Sequence, residues 1–302
     1  MTGNRNFDVI IIGGSYAGLS AAMALGRALR KVLIIDSGKP CNRQTPHSHN
    51  FLTQDGNTPA NIARIGREQV LRYDTVTFYT GLATAGIKTA TGFDITTDTG
   101  ETFSAGKLIF ATGITDNQPA IPGFAACWGI SVIHCPYCHG YEVRNEKTGI
   151  FANGDMAFDF GKLISNWTKD LTIFTNGPST LSGEQVDKLA ARNITIVEKE
   201  IREVAHTDGY ISQLVFTDGT TAPLKALYAR ISFTQHSDIP AQLGCELTEQ
   251  GYLRVDNMQK TTVKDVFACG DNASMMRSVS NAVATGTFAG AVANKEMVEE
   301  TF

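Results

Sequence analysis

Cys135 and Cys138 stand three positions apart in the stretch His134-Cys135-Pro136-Tyr137-Cys138-His139-Gly140. A C-x-x-C pair can close a small disulfide ring and reopen it, which is two-electron chemistry that needs no metal. Pro136 suits the first position of a helix, where its missing N–H costs nothing. A helix starting there puts Cys135 at the positive end of the dipole, which favours thiolate over thiol. His139 adjoins Cys138 and can hold or deliver a proton near neutral pH, and His134 flanks the pair on its other side. Cys135, Cys138, His139 and His134 are the candidate catalytic set.

Three other chemistries fit less of the pattern. Cys135-x-x-Cys138-His139 matches the attachment motif of a c-type haem, but that chemistry normally goes with export. The stretch Met1 to Asp8 lacks the basic and long apolar segments of an export signal. A zinc site needs a second ligand pair, and Cys41, Cys127, Cys245 and Cys269 form no second C-x-x-C. A static disulfide does not suit a chain expected in the cytoplasm. Redox catalysis is the favoured reading.

The elements that must position this pair are those of an ordinary soluble protein. At 302 residues, with 42% hydrophobic and 19% charged residues, the chain is long enough for two globular domains. A net charge of -4 gives no support for nucleic-acid or anionic-membrane binding. No apolar run approaches the roughly 18 residues of a membrane span, and a cytoplasmic location is expected.

Phe7–Ile12 reads as a buried strand running into Gly13-Gly14-Ser15-Tyr16-Ala17-Gly18. A helix pattern follows from about Ala17 to Leu29, then a strand from Lys31 to Ile35 closing on Asp36. Strand, glycine turn, helix, strand and acid make the fingerprint for the adenosine diphosphate of a dinucleotide. The glycines let backbone approach a pyrophosphate seated on the helix N-terminus, and Asp36 stands near the position that binds ribose hydroxyls. Ser15 replaces the middle glycine; it is small and can still donate to phosphate. Lys39 to Asp55 has no periodicity and reads as a loop wrapping a ligand. Short strands follow from Val76 to Ala111, with turns expected at Gly86, Gly92 and Thr99-Gly100, and Pro119 and Pro122-Gly123 mark a domain crossing.

The second half repeats the order without repeating the residues. Gly149 to Ala157 looks like a second strand and glycine turn, with a helix to about Trp167 and a strand at Leu171–Phe174. Ser182-x-x-Gln185 is a capping box for a helix to about Arg192, and Asn193–Val197 is a further strand. Ile201–Ala205, Gln213–Phe216 and Ala226–Ser232 read as an antiparallel patch with turns at Asp208-Gly209 and Asp218-Gly219. A buried strand then ends in Cys269-Gly270-Asp271, and a helix of small residues runs from about Ser280 to Val298. The order suggests an ancient duplication.

Assembled, these motifs resemble the low-molecular-weight thioredoxin reductase family over essentially the whole chain. They are Gly13–Gly18 with Asp36, the strand end Ala111-Thr112-Gly113, Cys135-x-x-Cys138, and Phe267-Ala268-Cys269-Gly270-Asp271. The resemblance implies an α/β fold of two Rossmann-like (three-layer ββα) domains. An FAD domain, residues 1–118 and 245–302, is split by an inserted C-x-x-C domain, 119–244. It implies that Cys138 faces the flavin and that Cys135 exchanges with substrate. Asp271 would bind the ribityl chain, and Gln44 and Asn50 would lie along FAD. Gly14, Tyr16, Ala17, Ser37, Arg43, Ala111, Thr112, Gly270, Val279 and Ser280 complete the implied cofactor contacts. A homodimer is expected.

Departures from the family pattern bear on the electron partner. The second turn should read G-x-G-x-x-A, and its first glycine is Ala152. Where typical members grip the 2′-phosphate of NADPH with His-Arg-Arg, this chain has Thr175-Asn176-Gly177. An Arg-Gln pair near the last helix is Val279-Ser280, and the Asp after the second cysteine is His139. NADPH is therefore not expected as a cofactor. The histidine-flanked pair, Ser15 and the His47-Ser48-His49 loop are closer to a side branch that includes dithiol oxidases of gliotoxin-like and holomycin-like compounds. The favoured expectation is oxidation of a dithiol, with oxygen as acceptor and peroxide as product. The alternative is reduction of a thioredoxin-like partner by NADPH or by ferredoxin, although no basic cluster stands ready for an acidic ferredoxin. A flavin-binding sensor without turnover would not need an intact, histidine-flanked pair.

Blander readings suit the remaining candidates. Cys127, Cys245 and Cys269 sit among apolar or small residues and read as packed hydrophobes. Cys41 reads as a non-catalytic thiol. His47 and His49 either line the flavin face or cap a loop. His206 and His236 are expected at the surface, and Met275-Met276-Arg277 in a loop covering the flavin.

Overall fold

The computed structural model describes residues 5–302, so residues 1–4 of the Met1–Asp8 segment lie outside it. Among the described residues no helix is long and apolar enough to cross a membrane. The chain divides into two compact units. One holds the chain up to Arg43, Asn50–Thr115 and Phe233–Phe302; the other holds Gln44–His49 and Asp116–Ser232.

In chain order the first unit opens with β1 (Asn6–Ile12), α1 (Tyr16–Arg27), β2 (Val32–Asp36), α2 (Pro59–Val70), β3 (Val76–Thr80), β4 (Ala83–Lys88), β5 (Phe93–Thr97) and β6 (Thr102–Phe110), followed by the short β7 (Ile114–Asp116). The second unit carries α3 (Phe124–Cys127), β8 (Val132–Ile133), α4 (Pro136–His139), β9 (Thr148–Phe151), α5 (Gly154–Ile164), β10 (Leu171–Phe174), α6 (Gly183–Ala190) and β11 (Thr195–Val197). It closes with β12 (Ile201–Thr207), β13 (Tyr210–Phe216), β14 (Thr221–Pro223) and β15 (Ala226–Ala229). The chain then returns through β16 (Phe233–Gln235), α7 (Ile239–Gln242), β17 (Val266–Ala268) and α8 (Val279–Thr301).

In the first unit, parallel strands run β3-β2-β1-β6, and β17 pairs with the last residues of β6. The first half of β6 instead pairs with the antiparallel meander β5-β4. Val9–Ile12 are all buried, as a β-branched run covered on both faces requires. One face is covered by α1 and α8, whose small residues let the helices touch backbone to backbone. A Cβ on Gly286 would lie 2.1 Å from Ala17 O, and one on Gly290 would lie 2.6 Å from Ala21 O. At the amino ends of the strands a single buried cation, Lys107, is ringed by carboxylates: Asp265 at 2.5 Å, Glu300 at 2.8 Å and Glu296 at 3.4 Å. The carboxyl ends of the same strands carry Gly13, Asp36, Gly113 and Gly270, the side on which α/β sheets bind ligands.

The second unit is built on the same plan at smaller scale. Its parallel sheet runs β11-β10-β9-β15-β8, and β12-β13-β14 form a separate antiparallel sheet. The Ser182–Gln185 capping box forms as the spacing predicts.

Several expectations need correction. Ala226–Ala229 is not part of the antiparallel patch; it is a fully buried parallel strand between β9 and β8. Gly86 is not a turn but lies inside β4, where a Cβ would meet Ile239 Cγ2 at 2.6 Å. That close contact with α7 also explains the boundaries. The chain rejoins the first unit at Phe233, not at 245, because β16 pairs with β7 and α7 packs on β4. The first crossing falls at 115/116, against the expected 118/119. Pro59–Val70, given no element above, is helical, with Thr58 Oγ1 accepting from Asn61 N and Pro59 in the first turn.

Candidate active site

At Gly13 and Gly18 of the first glycine turn, backbone occupies the place a side chain would need. Gly13 has φ +104°, and a Cβ there would lie 2.2 Å from Ala111 O. A Cβ on Gly18 would lie 1.8 Å from Gly13 O. Ser15 is the N-cap of α1, yet its side chain makes no capping bond. The first amides of α1 are thus left without a side-chain cap, as an anion-binding turn requires. Asp36 Oδ1 accepts from Gly14 N at 2.9 Å, which fixes the acid beside the turn, and its Oδ2 accepts from Gly38 N at 3.2 Å. This cradle fits the diphosphate and ribose of FAD. Tyr16 turns its hydroxyl away to Pro59 O and Asn42, so only its backbone belongs to the turn.

The chain ends meet here as the resemblance implies. Gly113 (φ +65°) and Gly270 (φ +82°) follow β6 and β17 in left-handed conformations. Asn272, wholly buried, ties the two strand ends by donating to Phe110 O (2.8 Å) and Thr112 Oγ1 (3.2 Å). Asp271 Oδ2 lies 3.8 Å from Arg277 Nε and 3.8 Å from Cys41 Sγ. Sequence reasoning passed over Asn272 and the Arg277–Asp271 pair; adjacency to Asp271 was the available signal for the first. Val279 and Ser280 open α8 behind the N-cap Ser278, while Met275 and Met276 are exposed. Arg43 and Asn50 are also exposed; the Arg43 guanidinium donates to Pro40 O, and Asn50 N donates to Asp55 Oδ1. Ser37 follows Asp36 in the turn after β2.

In the second unit Cys135 and Cys138 form a disulfide, Cα–Cα 5.3 Å. Pro136 starts a helix, but α4 is a single turn, too short for the macrodipole expected from the sequence. Stabilisation of charge on sulfur is local instead: Cys138 N donates to Cys135 Sγ at 3.2 Å. That bond favours a thiolate on Cys135 over one on Cys138. Gly140 lets the turn close, since a Cβ would lie 2.4 Å from Pro136 O and 2.9 Å from the Trp167 ring. Tyr137, between the two cysteines, and Tyr141, three residues beyond Cys138, are exposed.

Two aromatic and histidine groupings lie in the unit that carries the disulfide. His134 stacks on Trp128 (centroids 5.9 Å, 24° between planes), and Trp128 is held through Nε1 donating to Asp116 Oδ2 and its carbonyl accepting from Gln44 Nε2. Gln44, expected along FAD, therefore packs within the C-x-x-C unit. His49, from the same segment, pairs with Glu142 (Nε2 to Oε1, 3.6 Å) and lies 6.4 Å from His47 by ring centroids. Burial pushes the His139 imidazole below its ordinary pKa; Glu142 works to raise it and His49 to lower it further. His139 is thus a neutral base at physiological pH.

The second dinucleotide turn is closed by its own side chains. Asn153 caps α5, its Oδ1 accepting from Gly154 N (2.8 Å), Thr180 N (2.9 Å) and Thr180 Oγ1 (3.2 Å), while Nδ2 donates to Pro178 O (2.9 Å). Asp155 adds a carboxylate to the first turn, held by Gln185. The helix terminus that would receive a pyrophosphate is occupied and faced by negative charge. Thr175 Oγ1 bonds Gly177 O, and Asn176 Oδ1 accepts from Ile201 N, so the replaced cation positions are spent on the loop itself.

The other thiols behave as packed groups. Cys127, Cys245 and Cys269 are buried, and burial pushes the Cys269 thiol up to about 12. His206 and His236 are exposed, as expected.

The chain matches the model of the pyridine nucleotide-disulphide oxidoreductase family over residues 7–286. It is similar to the thioredoxin reductase tcpT of Claviceps purpurea, 32% identical over 311 residues spanning 99% of this chain and 97% of the relative. Among solved structures it is similar to an oxidoreductase from Agrobacterium tumefaciens, with TM-score 0.91 at 40% identity over 97% of this chain and 99% of the other. It is also similar to HlmI, with TM-score 0.92 at 28% identity over 100% of this chain and 95% of the other.

Proposed function

This chain belongs to the pyridine nucleotide-disulphide oxidoreductase family, and from that premise we propose that it is an FAD-dependent oxidase of small dithiols that works without NADPH. The observation that carries this reading is the Cys135–Cys138 disulfide in a unit where Asn153 Oδ1 caps α5 and bonds Thr180 across the dinucleotide turn. Reducing equivalents then enter from a dithiol and leave to oxygen.

Gly13, Gly18, Asp36, Gly113 and Asp271 would hold FAD, which when bound supplies two-electron transfer between the cysteine pair and oxygen. The rest is done by the protein's side chains. A substrate thiol gives its proton to His139, and its sulfur bonds to Cys135 Sγ as the Cys135–Cys138 bond breaks and Cys138 keeps the electron pair. The second substrate thiol attacks the substrate sulfur of this mixed disulfide, the bond to Cys135 breaks, and product leaves as Cys135 Sγ takes the electron pair while the second thiol's proton passes to water. The Cys138 N–H bond to Cys135 Sγ supports Cys135 as the leaving sulfur.

The exposed Tyr137 and Tyr141 favour a second reading, in which a thioredoxin-like protein docks at the pair and is reduced by a non-nicotinamide donor. One assay separates the two. Small dithiols and reduced thioredoxin are supplied in air and peroxide is measured. Peroxide with a small dithiol is the expected result. Background peroxide, with turnover only on adding reduced ferredoxin, reverses the assignment.

A further inference from the structure

Glu142 follows His139 by three residues, and its carboxylate lies 3.6 Å from His49 Nε2. We propose that Glu142 is a positioning residue for thiol–disulfide exchange, holding His49 in place and stabilising the proton that His139 takes when a thiol at this site becomes a thiolate. The inference rests on the reading of Cys135–Cys138 as the exchanging pair.

The physical need for such a carboxylate is plain. Burial disfavours imidazolium at His139, so an unassisted histidine there would accept a thiol proton poorly. His49, the other titratable side chain acting on His139, works in the same unfavourable direction. Glu142 alone works the other way. Its 3.6 Å contact with His49 Nε2 holds that imidazole beside the carboxylate, and at 40% exposure the carboxylate reaches water, where the proton can leave. Tyr228 also feels Glu142: burial first, then the Glu142 charge, raises its pKa, so it stays neutral and buried.

The step balances in either direction. When Cys135 attacks a disulfide, its thiol proton goes to His139, its sulfur bonds to one sulfur of the probe, and the other sulfur leaves with the electron pair of the broken bond. The test uses the flavin-loaded full chain carrying Cys138→Ser, with Cys41→Ser to silence that exposed thiol. The probe is 5,5′-dithiobis(2-nitrobenzoic acid), whose released thiolate is read by absorbance from pH 5 to about pH 10. Adding Glu142→Gln is expected to slow release about three- to tenfold at neutral pH, within the range of acid–base assistance. It is expected to move the midpoint towards that of an ordinary thiol, about 8.5. Above that midpoint the rates converge, because the thiolate no longer needs the imidazolium. Glu142→Asp restores part of the neutral rate. Superimposed profiles, or an equal loss at every pH, overturn the role of Glu142 while leaving Cys135 as the exchanging sulfur. No release at any pH overturns the exchange reading itself, and the inference with it.

Discussion

Asn153 Oδ1 accepts a hydrogen bond from the backbone amide of Thr180, 27 residues further along the chain, at 2.9 Å. The same oxygen caps α5, so one side chain both ends the helix and straps the loop after β10 across the turn. The contrast with α1 is within one molecule: Ser15 stands at the corresponding place and its side chain makes no such bond. One N-cap side chain makes no capping bond and its counterpart is engaged in two.

From this follows the first prediction. Anaerobic addition of micromolar NADPH leaves the flavin absorbance unchanged on the timescale of seconds. Replacing Asn153 with Ala costs about 1 kcal/mol of stability, the usual value of an N-cap, read by denaturant unfolding. Rapid bleaching of the wild type by NADPH would show that the strap opens.

The protein purifies yellow with stoichiometric FAD. Gly13→Val yields protein that holds little or none, because its side chain enters space filled by Ala111 O. The ratio of flavin to protein absorbance decides it; full flavin content in the variant would falsify the cradle.

Cys135→Ser abolishes dithiol oxidation and gives no mixed disulfide. Cys138→Ser also abolishes it but, given the disulfide form of the substrate, accumulates a mixed disulfide on Cys135 as the substrate's own S–S bond opens, visible as a mass increase in the intact protein. An adduct that maps to Cys138 in the Cys135→Ser variant instead would exchange the two roles.

His139 has a folded pKa below its unfolded value, so the unfolded chain binds more protons between the two. Its contribution to stability is present above the unfolded value of about 6.5 and is lost as pH falls through the lower folded value. Wild type should therefore weaken more steeply than His139→Gln between neutral pH and about pH 5. Parallel unfolding curves at each pH would remove the buried-base assignment.

Lys107→Ala leaves Asp265, Glu296 and Glu300 without their buried cation. Loss of about 3 kcal/mol or more is expected, since breaking a buried ion pair strands its partners. Lys107→Met with Asp265→Asn should recover part of it. A single variant as stable as wild type would mean that the cluster is not a structural clamp.

Much of the first unit could be read directly, because local patterns there coincide with the fold. Val9–Ile12 before Gly13, with Asp36 ending the next strand, admits few arrangements other than a strand, a tight turn and a helix. The capping box at Ser182–Gln185 is likewise a local device, and it forms as written. Elements fixed by distant contacts were misread. Gly86 has the look of a turn until Ile239 is packed against it, and Ala226–Ala229 is indistinguishable by pattern from a hairpin strand until β8 and β9 are found on its two sides.

The site divides along the same line. Sequence by itself determined the C-x-x-C pair, the dinucleotide fingerprint, the family and the absence of cations at Thr175-Asn176-Gly177, because each rests on residue types at short, fixed spacings. Tertiary structure decided what no spacing encodes. It brought Gln44 and His49 to the C-x-x-C unit, set Glu142 against His49, and made Asn153 both the cap of α5 and a tie to Thr180. The physical reason is that hydrogen bonds and charges act through space, over a few ångströms, between groups that may be nearly a hundred residues apart in the chain.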